Sequence, residues 1–290
     1  MKVLITGCNG QVGHCLTERL IKQAEVLALD YEGLDITDRD AVLNKVAVFQ
    51  PNYIINAAAH TAVDRAEQEV ELSYAINRDG PRYLAQAAKE CGAVMLHIST
   101  DYVFDGVGDK PYQENDTTGP QCVYGKSKLA GEQAVAESCP EHLILRTAWV
   151  FGEHGNNFVK TMLRLAESRD ELSIVGDQFG GPTYAGDIAD ALISMVQHLE
   201  QGKQAKWGVY HFSGMPYASW FDFANAIFQA AEQQNVLTKQ PKLSAIPSSA
   251  YPTPAKRPAN SRLDCSKIEN QFGIKPSDWN AALNNIQAYK

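Results

Sequence analysis

This sequence predicts an α/β fold: a doubly wound parallel sheet with a smaller C-terminal lobe. Three observations carry that prediction. Short apolar, β-branched runs alternate with amphipathic helical stretches through the first half of the 290 residues. The runs are too apolar to face water on either side, as expected of parallel strands covered by helices on both faces. A turn with glycines at three-residue intervals joins the first strand to the first helix, which places the arrangement in the Rossmann-like class.

In chain order the pattern predicts a strand over 2–6, a helix over 11–23, a strand over 25–30, a helix over 38–49 and a strand over 52–58. A helix over 73–92, a strand over 93–100, a helix over 126–138 and a strand over 142–151 continue it. After Val150 the rhythm loosens: helix 156–168, strand 171–175, a turn-rich segment over 176–187, helix 187–200, strand 208–213 and helix 219–233. The stretch from Pro247 to Pro258 is too interrupted by proline for regular structure and is expected to line a cleft. Residues 1–150 are therefore expected to form a nucleotide-binding domain and 151–290 mainly a substrate-binding lobe, with some segments returning to the first domain.

Composition narrows the function classes. With 44% hydrophobic and 21% charged residues the chain can bury a large core. A net charge of −8 without clustered Lys and Arg argues against a nucleic-acid surface. Met1-Lys2 leads straight into a strand, which predicts no export signal, and no window is apolar enough to span a bilayer. Cys8, Cys15, Cys91, Cys122, Cys139 and Cys265 form no C-x-x-C pair, which fits reduced, mostly buried thiols in the cytoplasm. The histidines show no H-x-x-x-H spacing; His60 and His97 are read as packed or hydrogen-bonded, and no metal is predicted.

The glycine turn reads as a phosphate cradle. Gly7 permits the tight turn, Gly10 lets backbone N–H groups approach a pyrophosphate, and Gly13 lets the helix lie close to the strand. Asp30, at the end of the second strand, can accept both ribose hydroxyls of an adenosine half and favours NADH over NADPH. Asp35 and Ile36 are candidates to flank the adenine, and Ala57, Ala58 and Ala59 would let a dinucleotide lie against the sheet; core packing is the alternative for both groups.

Tyr124 and Lys128 lie one helical turn apart and so share a face. A nearby ammonium is expected to lower the phenol's pKa and fit Tyr124 to protonate a carbonyl oxygen, with Lys128 also holding the nicotinamide ribose. Thr100, with Ser99 second, is the candidate to polarise the same oxygen from a strand end.

Together the glycine turn, the Tyr124/Lys128 pair and the Thr100 strand end resemble the extended short-chain dehydrogenase/reductases. The strings NAAAHTAVDRAE, HISTDYVFDG, VYGKSKLAGE, LILRTAWVFGEHGNNFVKTMLRLA and PTPAKRPANSRLD resemble, within them, the dTDP-4-dehydrorhamnose reductase family, from residue 2 to about residue 285. The resemblance implies NADH- or NADPH-dependent reduction of the 4-keto group of dTDP-4-dehydro-L-rhamnose, for cell-surface polysaccharide. It implies that Gly10, Gln11, Val12, Asp30, Asp35, Ile36 and Ala57 to Ala59 touch the dinucleotide and that Thr100, Asp101 and Trp149 border the sugar. Trp149 offers a flat apolar wall, and Arg257 and Arg262 are candidate clamps for the substrate diphosphate. Some members of the family dimerise through acidic side chains that hold magnesium. Two of the aligned positions here are Cys15 and Gly186, so magnesium is not expected and the chain is read as a monomer or weak homodimer. Two other readings are a nucleotide-sugar epimerase retaining NAD and a non-catalytic regulatory subunit of the methionine adenosyltransferase type; the Thr100, Tyr124 and Lys128 set argues against the second.

Overall fold

The computed structural model describes all 290 residues. The first half runs β1 (Lys2–Thr6), α1 (Gln11–Leu20), β2 (Glu25–Leu29), α2 (Arg39–Phe49), β3 (Tyr53–Asn56), the short α3 (Val63–Ala66) and α4 (Val70–Tyr74), α5 (Gly80–Cys91), β4 (Val94–Thr100), α6 (Val123–Ser138) and β5 (His142–Thr147). The second half contributes β6 (Val150–Phe151), α7 (Phe158–Ala166), β7 (Glu171–Val175), β8 (Phe179–Gly180), β9 (Thr183–Tyr184), α8 (Ala185–Glu200) and β10 (Gly208–His211). Then come β11 (Gly214–Met215), β12 (Ala218–Ser219), α9 (Trp220–Gln233), β13 (Lys242–Ile246), β14 (Asn260–Ser261), α10 (Ser266–Phe272), β15 (Ser277–Asp278) and α11 (Trp279–Leu283).

Six strands form one parallel sheet in the order β2-β1-β3-β4-β5-β10. The order reverses at β1, so the crevice between β1 and β3 is where such a sheet accepts a ligand at its carboxyl edge. Strand alternation feeds two cores. Val3 and Ile5 face Leu16 and Leu20 of α1, Ile188, Leu192 and Val196 of α8, and Ile268 of α10. Leu4, Ile54 and Met95 face Val42 of α2, Leu84 and Ala88 of α5, and Val135 of α6. Each such aliphatic side chain contributes about 1.5–3 kcal/mol on burial. The layers on one side therefore include α8 and α10, and the sheet's outer strand is β10, all from beyond residue 150. A separate aromatic-rich core, with Phe151, Met162, Phe223, Ile227 and Trp279, joins α7, α9 and α11.

Two predicted elements differ in course, and an unforeseen strand pairs with β7. The strand expected over 142–151 stops at Thr147, because Trp149 adopts a left-handed φ of 50° and the chain leaves the sheet there; β6 pairs with β9 instead. The helix expected over 73–92 contains a π-helical turn over Ala75–Asp79. Pro81 follows at the start of α5; it has no N–H to continue the ladder, so the preceding turn widens. The strand β13, not foreseen, pairs in parallel with β7 along a largely exposed run that carries no strong alternation. The segment from Pro247 to Pro258 is irregular apart from a 3-10 turn at Ser248–Ala250.

Candidate active site

At the carboxyl end of β1 the chain turns through Gly7, whose φ of +75° is one that side chains rarely adopt. A Cβ on Gly7 would lie 2.6 Å from the Ala58 backbone nitrogen, and one on Gly13 would lie 2.1 Å from the Gly7 carbonyl oxygen. The turn, the start of α1 and the Ala57–Ala59 run are thus packed backbone to backbone. Gly10 caps α1 with no side-chain hydrogen bond, so the helix's first N–H groups remain available to an anion. Gln11 reaches the lobe, its Oε1 accepting from Asn157 Nδ2 at 3.1 Å. Val12 is buried under the turn.

Asp30 sits at the end of β2, held by Asn9 Nδ2 (2.6 Å) and the Gly33 N–H (3.0 Å). Asn9, part of the glycine turn, therefore fixes the carboxylate beside the cradle. Asp35 spends one carboxylate oxygen on its own turn, accepting from the Thr37 N–H and hydroxyl. Ile36 is buried against Gly80, where a Cβ would strike its Cδ1 at 2.6 Å.

Thr100 ends β4, and its hydroxyl donates to Asp101 Oδ1 at 3.0 Å; Asp101 Oδ2 is buried with no hydrogen-bond partner. Burial raises the Asp101 carboxyl from 3.8 to about 6, with Ser261 and Thr100 pulling the other way. Tyr124, 9% exposed, lies in the first turn of α6 with its ring edge-on to Tyr102, centroids 5.4 Å apart. Burial pushes its phenol well above 10, and the Thr100 hydroxyl beside it acts in the opposite direction. Lys128, 2% exposed, directs its ammonium at the Ile98 carbonyl at 2.6 Å. Burial lowers it from 10.5 to about 8, while the charge of Glu132 supports the cation. The expectation that Lys128 lowers the Tyr124 pKa is corrected here: desolvation dominates the phenol, and the lysine's charge is spent on a backbone carbonyl of β4.

Sequence reasoning missed the groups that hold this set. Glu132, one turn beyond Lys128, forms a bidentate pair with Arg146 of β5 at 2.9 and 2.7 Å, both about 4% exposed. Asn56 joins Thr6 (2.7 Å) to His97 (3.0 Å) across three aligned strands. Burial and the Lys128 charge hold the His97 imidazole neutral. An asparagine closing the apolar run Tyr53–Asn56 and a glutamate spaced four from Lys128 were the available signals. His60 is hydrogen-bonded as read, to Glu69 (2.9 Å) and Ser73 (3.2 Å).

Trp149 stacks on Trp220, centroids 3.5 Å apart, and a Cβ on Gly180 would strike its indole at 2.6 Å. Gly180 in turn pairs with Ser261 of β14, which faces Asp101, so the indole and the Thr100/Asp101 corner share one wall. The two arginines separate. Arg257 donates to Asp64 at 2.6 Å and keeps one buried guanidinium nitrogen, Nη1, without a partner. It belongs to the proline-rich segment, whose Ala255 is buried with Tyr124 and Cys122. Arg262 donates to Asn260 Oδ1 at 2.8 Å and lies over the Phe179 ring at 5.9 Å. Cys15 is buried beside Arg19, whose guanidinium donates to the Gly186 carbonyl and stands where a side chain at 186 would go.

Residues 1–289 match the family described as RmlD substrate binding domain. A dTDP-4-dehydrorhamnose reductase of Aggregatibacter actinomycetemcomitans is 54% identical over 290 residues, covering 99% of each chain. Among solved structures, a dTDP-4-dehydrorhamnose reductase of Clostridium acetobutylicum is 40% identical with a TM-score of 0.92, covering 99% of this chain and 98% of that one. One from Bacillus anthracis, solved in complex with NADP, is 37% identical with a TM-score of 0.90, covering 100% and 99%.

Proposed function

The chain belongs to the RmlD substrate binding domain family, and from that premise we propose how it works as a nicotinamide-dependent reductase converting dTDP-4-dehydro-L-rhamnose to dTDP-L-rhamnose. The observation that carries the reading is the buried contact of Thr100, Asp101 and Tyr124 above Lys128, at the same sheet edge as the glycine cradle.

A dinucleotide fits the cradle, because Gly7 and Gly13 let the turn close tightly against α1 and the Ala57–Ala59 run, and the first N–H groups of α1 have no side-chain cap. Gly10, Gln11, Val12, Ala57, Ala58 and Ala59 would line it, Asp30 would accept the adenosine ribose hydroxyls, and Asp35 and Ile36 would border the adenine. When bound, the reduced nicotinamide supplies the hydride. Tyr124 remains protonated across the neutral range and holds its proton toward the C4 oxygen. Thr100, whose one hydroxyl proton goes to Asp101 Oδ1 in this structure, would polarise the same oxygen by turning that proton to it. Lys128, whose ammonium donates to the Ile98 carbonyl of β4, would hold the nicotinamide ribose with its remaining N–H groups. Trp149 faces the sugar, and Arg257, through its unpartnered nitrogen, is the nearer candidate for the diphosphate; Arg262 serves it from the β14 side.

Asp30 supports a preference for NADH, with the relative's NADP as the alternative. Cys15 and Gly186 offer no carboxylate for magnesium, which supports a monomer or weak homodimer. Six free cysteines support a reducing, cytoplasmic setting, and no helix is long and apolar enough to cross a membrane.

The test is oxidation of NADH and of NADPH, followed by absorbance, with the 4-keto sugar generated in place from dTDP-glucose by the dehydratase and epimerase. Oxidation that needs all three proteins supports the reductase reading. No oxidation with either nucleotide overturns it.

A further inference from the structure

We propose that His14, Glu18 and His154 form a binding site for a first-row transition-metal cation of the zinc class, bridging α1 to the loop that opens the lobe. His14 and Glu18 lie one turn apart on α1, with His14 Nε2 3.4 Å from Glu18 Oε1. His154 comes from the loop between β6 and α7, and the two imidazoles are 3.7 Å apart at a tilt of 37°. One donor atom from each of the three side chains lies within 4.8 Å of the others. Donors around a tetrahedral cation with bonds of about 2.0–2.2 Å sit roughly 3.4 Å apart, so modest side-chain rotation closes the set.

Both sides of the site are anchored. Cys15, Leu16 and Leu20 bury α1 in the core. Glu153 accepts from the Tyr184 hydroxyl at 2.7 Å, and Asn157 donates to Gly152 (2.7 Å) and Gln11 (3.1 Å), so the loop is pinned on either side of His154. Two imidazole nitrogens and one carboxylate oxygen select zinc, copper, nickel or cobalt over magnesium, which prefers oxygen alone. Three protein donors leave a fourth position for water. Because α1 starts in the glycine turn and the loop leads into α7, the bound cation would tie the lobe to the nucleotide-binding helix.

The experiment is zinc titration of the untagged, chelator-stripped full-length chain by calorimetry, repeated with cobalt, whose visible absorbance reports coordination. One site per chain is expected, unchanged in Cys8→Ala and weakened at least ~10-fold in both His14→Ala and His154→Ala. Far-UV circular dichroism checks that the variants fold. Absence of uptake by the wild-type chain, equal uptake in His154→Ala, loss in Cys8→Ala, or displacement of zinc by magnesium would each overturn the proposal. None of these outcomes depends on reductase activity.

Discussion

Trp149 and Trp220 lie face to face, planes 9° apart, joining the residue where the chain leaves the central sheet to the first residue of α9. Trp149 holds a left-handed backbone conformation that is costly for a bulky residue, so its indole is placed by its neighbours rather than by its own preference. Loss of one stacked partner is worth about 0.5–1.5 kcal/mol. Trp220→Ala should therefore raise KM for the sugar nucleotide roughly 2- to 10-fold, leave KM for the nicotinamide nucleotide unchanged, and reduce the near-UV dichroism of the coupled indoles. An unchanged sugar KM would remove Trp149 from the sugar site.

Tyr124→Phe removes one hydroxyl from a well-packed ring and should fold normally. Turnover should fall by about 10²–10⁴ with cofactor affinity retained. Single-turnover kinetics and a nucleotide titration check the two halves, and near-normal turnover would assign the proton to another group.

Lys128 loses its proton as pH rises through about 8. If the cation holds the ribose, kcat/KM should decline on that alkaline limb, and Lys128→Met should lower both turnover and cofactor affinity. Stability runs the other way. From about 8 up to 10.5 the unfolded chain holds a proton that the folded chain has lost, so the lysine's contribution rises with pH and is lost as pH falls through about 8. A pH series of denaturant midpoints, wild type against Lys128→Met, separates the two effects.

Between 3.8 and about 6 the folded chain keeps a proton on Asp101 that the unfolded chain has released, so this group costs stability progressively as pH rises through that window. Asp101→Asn should be more stable than wild type at neutral pH by on the order of 3 kcal/mol. The difference should vanish below 3.8, and sugar binding should weaken. Calorimetry at acid and neutral pH measures it; an equal difference at both would mean the carboxyl is not held protonated by burial.

Glu132→Gln leaves Arg146 buried beside a neutral partner, and should cost about 3–5 kcal/mol in urea unfolding. Because Glu132 supports the Lys128 cation, the alkaline limb should also move below about 8 in this variant. A purely structural pair would change the first quantity and leave the second.

Much of this was legible in the chain because it is local. The glycine turn, Asp30 and the Tyr124/Lys128 spacing are each set within a few residues, and the apolar periodicity of β1 to β5 follows from burial on both faces. What sequence reasoning missed depends on distant partners. The Trp149 break follows from where the lobe attaches, the divergence of Arg257 from Arg262 depends on Asp64 and Asn260, and the height of the Tyr124 pKa is set by what covers it. The His14 and His154 rings are 140 residues apart in the chain by their numbering and touch only in the fold.

The outermost strand of the central sheet, β10, is made of residues 208–211, and the helix covering one face, α8, of residues 185–200. A nascent chain emerging from the ribosome must therefore carry an open β5 edge and an uncovered apolar face until more than two thirds of it has been synthesised. Division of the gene after codon 150 would leave that sticky intermediate as the end product, and the first fragment would be expected to aggregate rather than bind nucleotide.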